Sequence, residues 1–335
     1  MKTIDIEYIN YNLVKEGCPK LVLERDSYPE VLINKEGTSL VDANGNNIGT
    51  KGDMYHKLLF DKILQEGCMD RNPRPHYEDG VKAHTLSINP AIANIVVCYD
   101  LSKGEFPITT LRPIACKSSI GEALWIYQDS SNNLELLKSK YGVTWWDEWD
   151  IGNRTIGATY GETVRRRDMV RKLLEEIEKD PDGRRHIINL WQVDDYMEPH
   201  GLKPCAFLTE WNVRHGRDGV DYLDLKLTQR SSDFATAGAI NQVQYVALQY
   251  MFARHLGLIP GMFTWSFNNI QIYDRHINQV IEMLNRDPIN CNAHLKLNDD
   301  VTNFYDFTVD DVKIVDYPRD EIKIKNKQLK FPIGI

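Results

Sequence analysis

The chain has 335 residues and a formal net charge of -8, and its 42% hydrophobic and 26% charged residues are ordinary for a soluble globular protein. This acidic balance argues against nucleic acid as a substrate and against attraction to acidic membranes, although a local basic pocket can still bind one phosphate. No stretch approaches the roughly 18 apolar residues of a membrane span, and residues 1–17 lack the apolar run of a secretory signal.

The six cysteines are scattered along the chain and form no CxxC pair, which fits neither a disulfide framework nor a zinc site. We therefore expect a cytoplasmic protein without a metal, in which most thiols are small buried side chains. The cysteines are Cys18, Cys68, Cys98, Cys116, Cys205 and Cys291.

Residues 1–52 differ from the rest of the chain and are interpreted as an N-terminal extension of a main domain at 53–335. The extension contains a short strand-like run, Lys20–Leu23. It also contains a stretch rich in Gly and Asn, Asp42–Gly52, which favours turns. We expect the extension to pack on the main domain or to be loosely tied to it.

The main domain mixes predicted helices and strands without a steady βαβ alternation. Hydrophobic spacing predicts helices over Met54–Glu66, Ala115–Tyr127, Asp168–Lys179, an amphipathic Ile240–Leu256, and Ile270–Leu284. Apolar runs predict strands over His186–Val193, Phe207–Val213 and Leu223–Thr228. Since GxGxxG and P-loop sequences are also absent, we predict an α+β fold with a mixed β-sheet surrounded by helices, not a Rossmann fold.

Three segments carry groups that could act on an anionic substrate. Cys205 follows a proline before a predicted strand, but a free cysteine is usually inert unless cationic neighbours favour its thiolate. Gln229–Asp233 supplies an arginine, a hydroxyl and a carboxylate, or is a surface loop with an internal ion pair. The paired arginines of Asp182–Arg185 suit a phosphate dianion, or are a charged entry to a strand.

Two further features concern aromatic and acidic side chains. Trp145–Trp149 holds three of the seven tryptophans, which either pack the core or form a stacking wall for a flat heterocycle. Glu122 is a carboxylate within an otherwise apolar predicted helix. Because a buried carboxylate without a partner is costly, Glu122 needs a role or an ion pair.

These segments occur in an order that resembles thymidylate synthase, over roughly residues 54–335. The hallmark is a proline–cysteine followed by a Gln-Arg-Ser-x-Asp loop and an asparagine on a helix, here Pro204-Cys205, Gln229–Asp233 and Asn241. Further matching segments are Pro107–Thr110, Gly121–Trp125, Trp146–Trp149, Tyr160-Gly161, Asp182–Arg185, Tyr273 with His276, and Phe304–Asp311.

The resemblance implies that dUMP is methylated at carbon 5 with methylenetetrahydrofolate, which supplies both the carbon and the hydride. A cysteine thiolate adds to carbon 6, and this makes carbon 5 nucleophilic, as in other covalent catalysis. The implied fold is that of thymidylate synthase, as a homodimer that pairs through a sheet face and shares arginines between its two sites.

The resemblance also implies roles for individual residues. Catalysis is assigned to Cys205, Glu122, Tyr160, Arg230, Asp233 and Asn241. Binding of dUMP is assigned to Arg74, Arg184, Arg185, Gln229, Arg230, Ser231, Asp233, Asn241, Gln271 and Tyr273. Binding of folate is assigned to Trp146, Trp149, Asp233, Ala237, Ile240 and Ile335.

The sequence departs from the family pattern at four places, one of which is Ala206, where many members have a histidine after the cysteine. Ala237, Ala239 and Ile240 replace a glycine, a proline and a phenylalanine in the loop expected to touch folate. Gln271 stands where a histidine is common. In the N-terminal phosphate loop, Arg74 is the expected substitute for the usual arginine, with Lys82 as the alternative.

The leading hypothesis is therefore synthesis of dTMP from dUMP, with dihydrofolate as co-product. One alternative ends the same covalent pathway with water and is a pyrimidine nucleotide hydroxymethylase, for which the altered loop could admit the water. By the same resemblance, Asn241 favours uracil over cytosine, because relatives that act on cytosine favour an aspartate at this position. A second alternative is a non-catalytic nucleotide-binding or RNA-binding paralogue.

Overall fold

In the computed structural model, residues 1–89 and 95–335 are described. The α-helices are α1 (Ile6–Lys15), α2 (Lys51–Glu66), α3 (Cys116–Tyr127), α4 (Leu134–Tyr141), α5 (Gly161–Arg167), α6 (Met169–Lys179), α7 (Gly238–His255), α8 (Ile277–Asn285) and α9 (Arg319–Lys325). The strands are β1 (Lys2–Thr3), β2 (Ser27–Tyr28), β3 (Leu40–Val41), β4 (Asn47–Ile48), β5 (Cys68–Met69), β6 (Thr85–Ile88), β7 (Val97–Asp100), β8 (Ile187–Asn189), β9 (Ala206–His215), β10 (Asp221–Gln229), β11 (Ser232–Asp233), β12 (Ile259–Phe267), β13 (Ile270–Tyr273), β14 (His294–Leu297) and β15 (Val312–Val315).

The main sheet has five strands in the order β7-β12-β10-β9-β8. It is mixed, because β10 runs parallel to β12 and antiparallel to β9. Leu225 lies opposite Trp211, and the Trp211 ring packs 4.9 Å from Phe252 of α7, which places this face on the core. The opposite face carries the ion pairs Lys226–Glu210 and Arg214–Asp224. The prediction of a mixed sheet wrapped by helices is confirmed.

Helix α7 fills the centre of the domain, between the main sheet and α3. The prediction of an amphipathic helix here is wrong, since residues around most of its circumference are buried. A helix that is covered on all sides must carry apolar or hydrogen-bonded polar side chains on every face. Its buried glutamines, including Gln242, Gln244 and Gln249, are the polar exceptions.

A smaller sheet, in the order β11-β13-β6-β5, lies at the edge of the cleft described below. The predicted helix over Ile270–Leu284 is wrong in its first part, because Ile270–Tyr273 is strand β13 and the α-helix begins only at Ile277. Ile270 and Ile272 are buried while Gln271 and Tyr273 are not, which is the period of a strand.

The N-terminal extension packs on the main domain through apolar and polar contacts. Ile9, Leu13 and Tyr28 belong to the same buried cluster as the main domain. Lys2 forms an ion pair with Asp61 at 2.7 Å. The predicted strand Lys20–Leu23 is wrong, since these residues form no strand. Division of the chain at residue 52 stays a prediction.

Helix α2 begins at Lys51, three residues before the predicted start at Met54, so the turn-rich stretch ends within the first turn of the helix. Thr50 caps the helix: Asp53 N donates to Thr50 Oγ1 at 3.0 Å, and Thr50 N donates to Asp53 Oδ2 at 2.8 Å. This reciprocal capping box satisfies amide donors that the first helical turn would otherwise leave unpaired. No helix in the described ranges 1–89 and 95–335 is long and apolar enough to cross a membrane.

Candidate active site

A cleft of about 540 Å³ opens beside α3 and α7 and is closed on one side by the carboxyl-terminal tail, residues 328–335. The predicted site residues that line it are Arg74, Glu122, Trp146, Trp149, Tyr160, Cys205, Gln229, Arg230, Ser231, Asp233, Ala237, Ile240, Asn241, Gln271, Tyr273 and Ile335. The fold thus brings together segments that are far apart in sequence, and only Arg184 and Arg185 lie outside the cleft.

Cys205 and Arg230 meet because of strand pairing. Cys205 immediately precedes β9 and Arg230 immediately follows β10, and antiparallel strands place these two ends side by side. Arg230 Nη2 lies 3.6 Å from Cys205 Sγ, and Arg230 Nε donates to the Pro204 carbonyl at 2.9 Å. Burial raises the pKa of the Cys205 thiol, while the Arg230 charge opposes that rise. The guanidinium is therefore placed to stabilise the thiolate.

Tyr160 holds the backbone at the nucleophile. Its hydroxyl oxygen accepts a hydrogen bond from Cys205 N at 3.0 Å. Tyr160 has a φ of 46°, a value that bulky side chains rarely adopt and that costs on the order of 1–3 kcal/mol. The next residue, Gly161, has no room for a Cβ, which would lie 2.0 Å from the Ser131 carbonyl oxygen. This strained turn directs the phenol at Cys205.

Glu122 lies on α3 with only 6% of its surface exposed. Its carboxylate accepts a hydrogen bond from Trp145 Nε1 at 2.5 Å. Burial raises the pKa of Glu122 to about 6, and the Gln244 amide and the Trp145 indole oppose the rise. A carboxyl group with such a pKa can hold or release a proton near neutral pH, which suits proton transfer.

Three amides form a row on the floor of the cleft. Gln229 Nε2 donates to Asn241 Oδ1 at 3.1 Å, and Asn241 Nδ2 donates to Gln244 Oε1 at 3.0 Å. Sequence reasoning missed Gln244. Its signal was its position three residues after Asn241, which places both side chains on one face of α7.

Ser231 and Gln271 are joined across the β11–β13 pairing. Gln271 Nε2 lies 3.1 Å from Ser231 Oγ, and the Tyr273 ring follows on the same face of β13. Gln271, at the position where a histidine was expected, therefore orients the Ser231 hydroxyl. Both side chains line the cleft.

The tryptophan wall is built around Trp146. Its ring lies 5.5 Å from Trp149 and 5.0 Å from Tyr160, in edge-to-face geometry. Trp146 is buried and Trp149 is half-buried, and both line the cleft. The tryptophans thus pack the core and also present ring surface to the cleft, so both interpretations of this segment from the sequence apply.

Asp233 faces the tail end of the cleft. Thr236 Oγ1 donates to Asp233 Oδ2 at 2.5 Å, and His276 Nδ1 lies 3.7 Å from Asp233 Oδ1. Burial lowers the pKa of His276, but the Asp233 charge and the Pro332 carbonyl outweigh it, so the pKa is raised overall. His276 thereby connects the Asp233 loop to the tail.

The tail is tied down at its last residue. Ile335 exchanges two backbone hydrogen bonds with His76, of 2.7 and 2.9 Å, and His276 Nε2 lies 2.6 Å from the Pro332 carbonyl oxygen. Arg112, which sequence reasoning also missed, donates to the Ala235 carbonyl at 3.0 Å and lies 5.5 Å from the Phe331 ring. Its signal was an arginine within an apolar run.

The arginines predicted to bind phosphate divide into two groups. Arg74 is exposed at the rim of the cleft. Lys82 points elsewhere and pairs with Glu16. Arg184 and Arg185 are exposed before β8, at the edge of the main sheet, without a hydrogen bond or ion pair to any described residue. Their action across a dimer interface stays a prediction.

Comparison with known proteins identifies the family. The family model described as thymidylate synthase matches residues 53–328. Thymidylate synthases of Streptococcus pneumoniae (strain 70585) and Streptococcus gordonii are 48% and 47% identical to this chain over 288 residues, covering 85% of this chain and all of each relative. The solved structure of thermostable thymidylate synthase A from Bacillus subtilis aligns with a TM-score of 0.75 and 31% identity, over 84% of this chain and 99% of that one. The chain belongs to the thymidylate synthase family.

Proposed function

We propose that the chain converts dUMP to dTMP with 5,10-methylenetetrahydrofolate and releases dihydrofolate. The observation that carries this proposal is the position of Arg230 Nη2, 3.6 Å from Cys205 Sγ, in a cleft that also holds Glu122 and Asn241. These groups supply a nucleophile, a proton-transfer carboxyl and a uracil-reading amide within one chain.

Cys205 opens the reaction by adding its thiolate to carbon 6 of the uracil ring. Carbon 5 gains electron density from this addition and can then form the new carbon–carbon bond. Arg230 stabilises the thiolate before attack. Asn241 holds the ring by accepting from N3–H and donating to O4, since its amide has both kinds of group.

Glu122 and Tyr160 each assist a different proton transfer to or from the uracil ring. Glu122, with a pKa of about 6, exchanges a proton with the pyrimidine through water. Tyr160, whose hydroxyl oxygen accepts from Cys205 N, assists loss of the proton at carbon 5.

The walls of the cleft fit the folate co-substrate, which supplies the one-carbon unit and the hydride. Trp146 and Trp149 offer ring surfaces, and Ala237 and Ile240 complete an apolar side. Asp233 orders the two substrates, and Ile335 with the rest of the tail excludes water from the hydride transfer. Among the described residues, no group of three or more His, Cys, Asp or Glu could hold a metal ion.

The phosphate site combines residues of one chain with arginines of a second copy of the chain. Arg230, Ser231 and Arg74 bind the dUMP phosphate from within the chain, with Gln229 and Tyr273 beside the nucleotide. Arg184 and Arg185 reach the phosphate of the partner in a cytoplasmic homodimer that pairs through the exposed face of the main sheet. The exposed arginines without partners support this arrangement, because forked donors suit a phosphate dianion.

The names of the relatives favour methylation over hydroxymethylation. A non-catalytic paralogue is also disfavoured, because Cys205, Arg230 and Glu122 lie together in one cleft.

The covalent step is tested by trapping with 5-fluoro-dUMP and methylenetetrahydrofolate, followed by intact-protein mass spectrometry. We expect an adduct on the wild type and on Cys291→Ser, another half-buried thiol, and none on Cys205→Ser. A wild type without an adduct, or an adduct that survives in Cys205→Ser, contradicts the proposal.

A further inference from the structure

The amide row on the cleft floor begins at a group that can only donate. Trp265 Nε1 donates to Gln229 Oε1 at 3.0 Å, and both side chains are at most 2% exposed. Because an indole N–H can donate a hydrogen bond but cannot accept one, the atom of Gln229 that faces Trp265 must be the oxygen, Oε1. The Trp265 donor therefore fixes the orientation of the Gln229 amide.

This orientation passes along the row. Gln229 Nε2 uses its two hydrogens on the Ser231 carbonyl, at 3.0 Å, and on Asn241 Oδ1, at 3.1 Å. Asn241 Oδ1 must face Gln229, so Asn241 Nδ2 faces the other way. It donates to Gln244 Oε1 at 3.0 Å. Each amide thus sets the direction of the next.

Gln244 is the last member of the row and is 5% exposed. With Oε1 turned toward Asn241, its Nε2 is a buried donor without a geometric hydrogen-bond partner among the described residues. The amide lies beside the Glu122 carboxylate and lines the cleft with it. Because an unpaired buried donor costs free energy, a hydrogen bond from Gln244 Nε2 to the neighbouring Glu122 carboxylate is favoured.

We propose that Gln244 is a positioning residue that makes the enzyme select uracil over cytosine, by locking the Asn241 amide in one orientation and joining it to Glu122. The inference rests on the proposed function, because it concerns the pyrimidine that Asn241 reads. It adds a specificity role for a side chain that need not touch the substrate.

Each polar atom of the Asn241 amide has one hydrogen-bonding position left for the substrate. Oδ1 keeps one lone pair for the N3–H of uracil, and Nδ2 keeps one hydrogen for O4. Cytosine has an acceptor at N3 and a donor at N4, so it fits only a reversed amide. Reversal would set Asn241 Nδ2 against Gln229 Nε2 and Asn241 Oδ1 against Gln244 Oε1. Two buried hydrogen bonds would be replaced by two repulsive contacts, and cytosine is excluded by that cost.

Two substitutions separate the two ends of Gln244. Gln244→Met removes both the acceptor for Asn241 and the donor for Glu122 at similar volume. Gln244→Glu keeps the acceptor but turns a second carboxylate oxygen toward Glu122, and like charge raises the pKa of a carboxyl group. Gln242→Met is the matched control, because Gln242 is a buried glutamine of the same helix that does not line the cleft.

The first readout is the ratio of the dissociation constants of dCMP and dUMP, measured by calorimetry without folate. We expect this ratio to fall about tenfold or more in Gln244→Met, as the loss of a buried hydrogen bond predicts. It should stay within about twofold of wild type in Gln244→Glu and Gln242→Met. An unchanged ratio in Gln244→Met overturns the proposed selection.

The second readout is the pH profile of kcat/KM for dUMP. Gln244→Glu should move its acidic limb upward by about one pH unit, whereas Gln242→Met should leave it in place. If the acidic limb of the profile does not move in Gln244→Glu, the proposed interaction of Gln244 with Glu122 is overturned. Should Gln244→Met fail to fold, the pH profile of Gln244→Glu alone tests the proposal. If the wild type neither prefers dUMP to dCMP nor forms dTMP, the proposed function itself fails; if it does both, only the role of Gln244 is at stake.

Discussion

The pyrimidine side and the phosphate side of the cleft are built in opposite ways. On the pyrimidine side, Gln229 and Gln244 are 2% and 5% exposed, and hydrogen bonds of 3.0 to 3.1 Å fix the amides between them. On the phosphate side, Arg74 lies exposed at the rim, and Arg184 and Arg185, which lie outside this chain's own cleft, are proposed to come from a second chain. None of the three makes a hydrogen bond or ion pair to the described residues. The amides of one side are therefore fixed by hydrogen bonds within the chain, whereas these three arginines of the other side are not.

The difference is the one expected if one side recognises a pyrimidine ring and the other a phosphate, as proposed above. At N3 and at the C4 substituent, uracil and cytosine exchange hydrogen-bond donors for acceptors. The groups that distinguish the two bases must therefore be held in one orientation and shielded from water. A phosphate dianion is distinguished by charge, and hydrated guanidinium groups can gather around it when it arrives.

The chemistry should depend on Cys205 far more than nucleotide binding does. Cys205→Ser should lower kcat by at least about 10³-fold, because an alcohol at this position lacks the nucleophilicity of a thiolate. The affinity for dUMP should change by no more than a few-fold, since the amides and arginines remain. Steady-state kinetics and calorimetry measure the two quantities. A comparable loss in both would mean that the substitution damages the site as a whole.

The phosphate side should need arginines from a second chain. Arg184→Ala should raise the KM for dUMP by about 10- to 100-fold, the usual effect of losing a hydrogen bond to a charged group. Co-refolding this chain with a Cys205→Ala chain should restore one intact site in each mixed dimer, which amounts to about a quarter of the wild-type kcat/KM for dUMP at random pairing. If mixing restores nothing, the arginines act within their own chain or only in packing.

The tail should serve the later steps more than dUMP binding. Deletion of residues 333–335 removes the backbone pair between Ile335 and His76 and part of the apolar wall. We expect turnover to fall about tenfold or more, because water then reaches the hydride-transfer site. The dissociation constant for dUMP should stay within about threefold, which calorimetry can establish. An equal loss of dUMP affinity would place the tail on the nucleotide side.

The smallest effect concerns stability. Burial raises the pKa of Glu122 from 4.5 to about 6, so the folded chain holds this proton more tightly than the unfolded chain. Stability is therefore lost as the pH rises from about 4.5 through about 6, by about 2 kcal/mol. In Glu122→Gln, which does not titrate, the free energy of unfolding relative to wild type should rise by about that amount between pH 4 and pH 8. Urea denaturation at both pH values measures it, and a difference independent of pH would contradict the cause given.

Sequence patterns predicted the parts of the fold that have strong periodicity and the site residues that carry distinctive chemistry. Helices α3 and α6 lie within one residue of their predicted bounds. The predicted helix over Ile270–Leu284 includes strand β13 by mistake, because four residues are too few to show the alternation of a strand before a helix begins. Helix α7 was misread as amphipathic, because sequence alone does not show that it is covered from all sides.

The residues that the sequence did not reveal act through neighbours. Gln244 and Arg112 are ordinary polar side chains until the fold sets them against Asn241 and the Ala235 carbonyl. His276 was visible in a family motif, but its position between Asp233 and Pro332 depends on how the tail returns to the cleft. Such roles are defined by contacts between distant segments, which no local pattern contains.

Methylation of dUMP through Cys205 can be established by analysis of the products. Purified protein is incubated with dUMP and 5,10-methylenetetrahydrofolate, and both the nucleotide and the folate products are quantified by chromatography. We expect dTMP and dihydrofolate in equal amounts, with neither formed by Cys205→Ser. Formation of tetrahydrofolate with hydroxymethyl-dUMP, or of no product from dUMP, would contradict the proposed methylation.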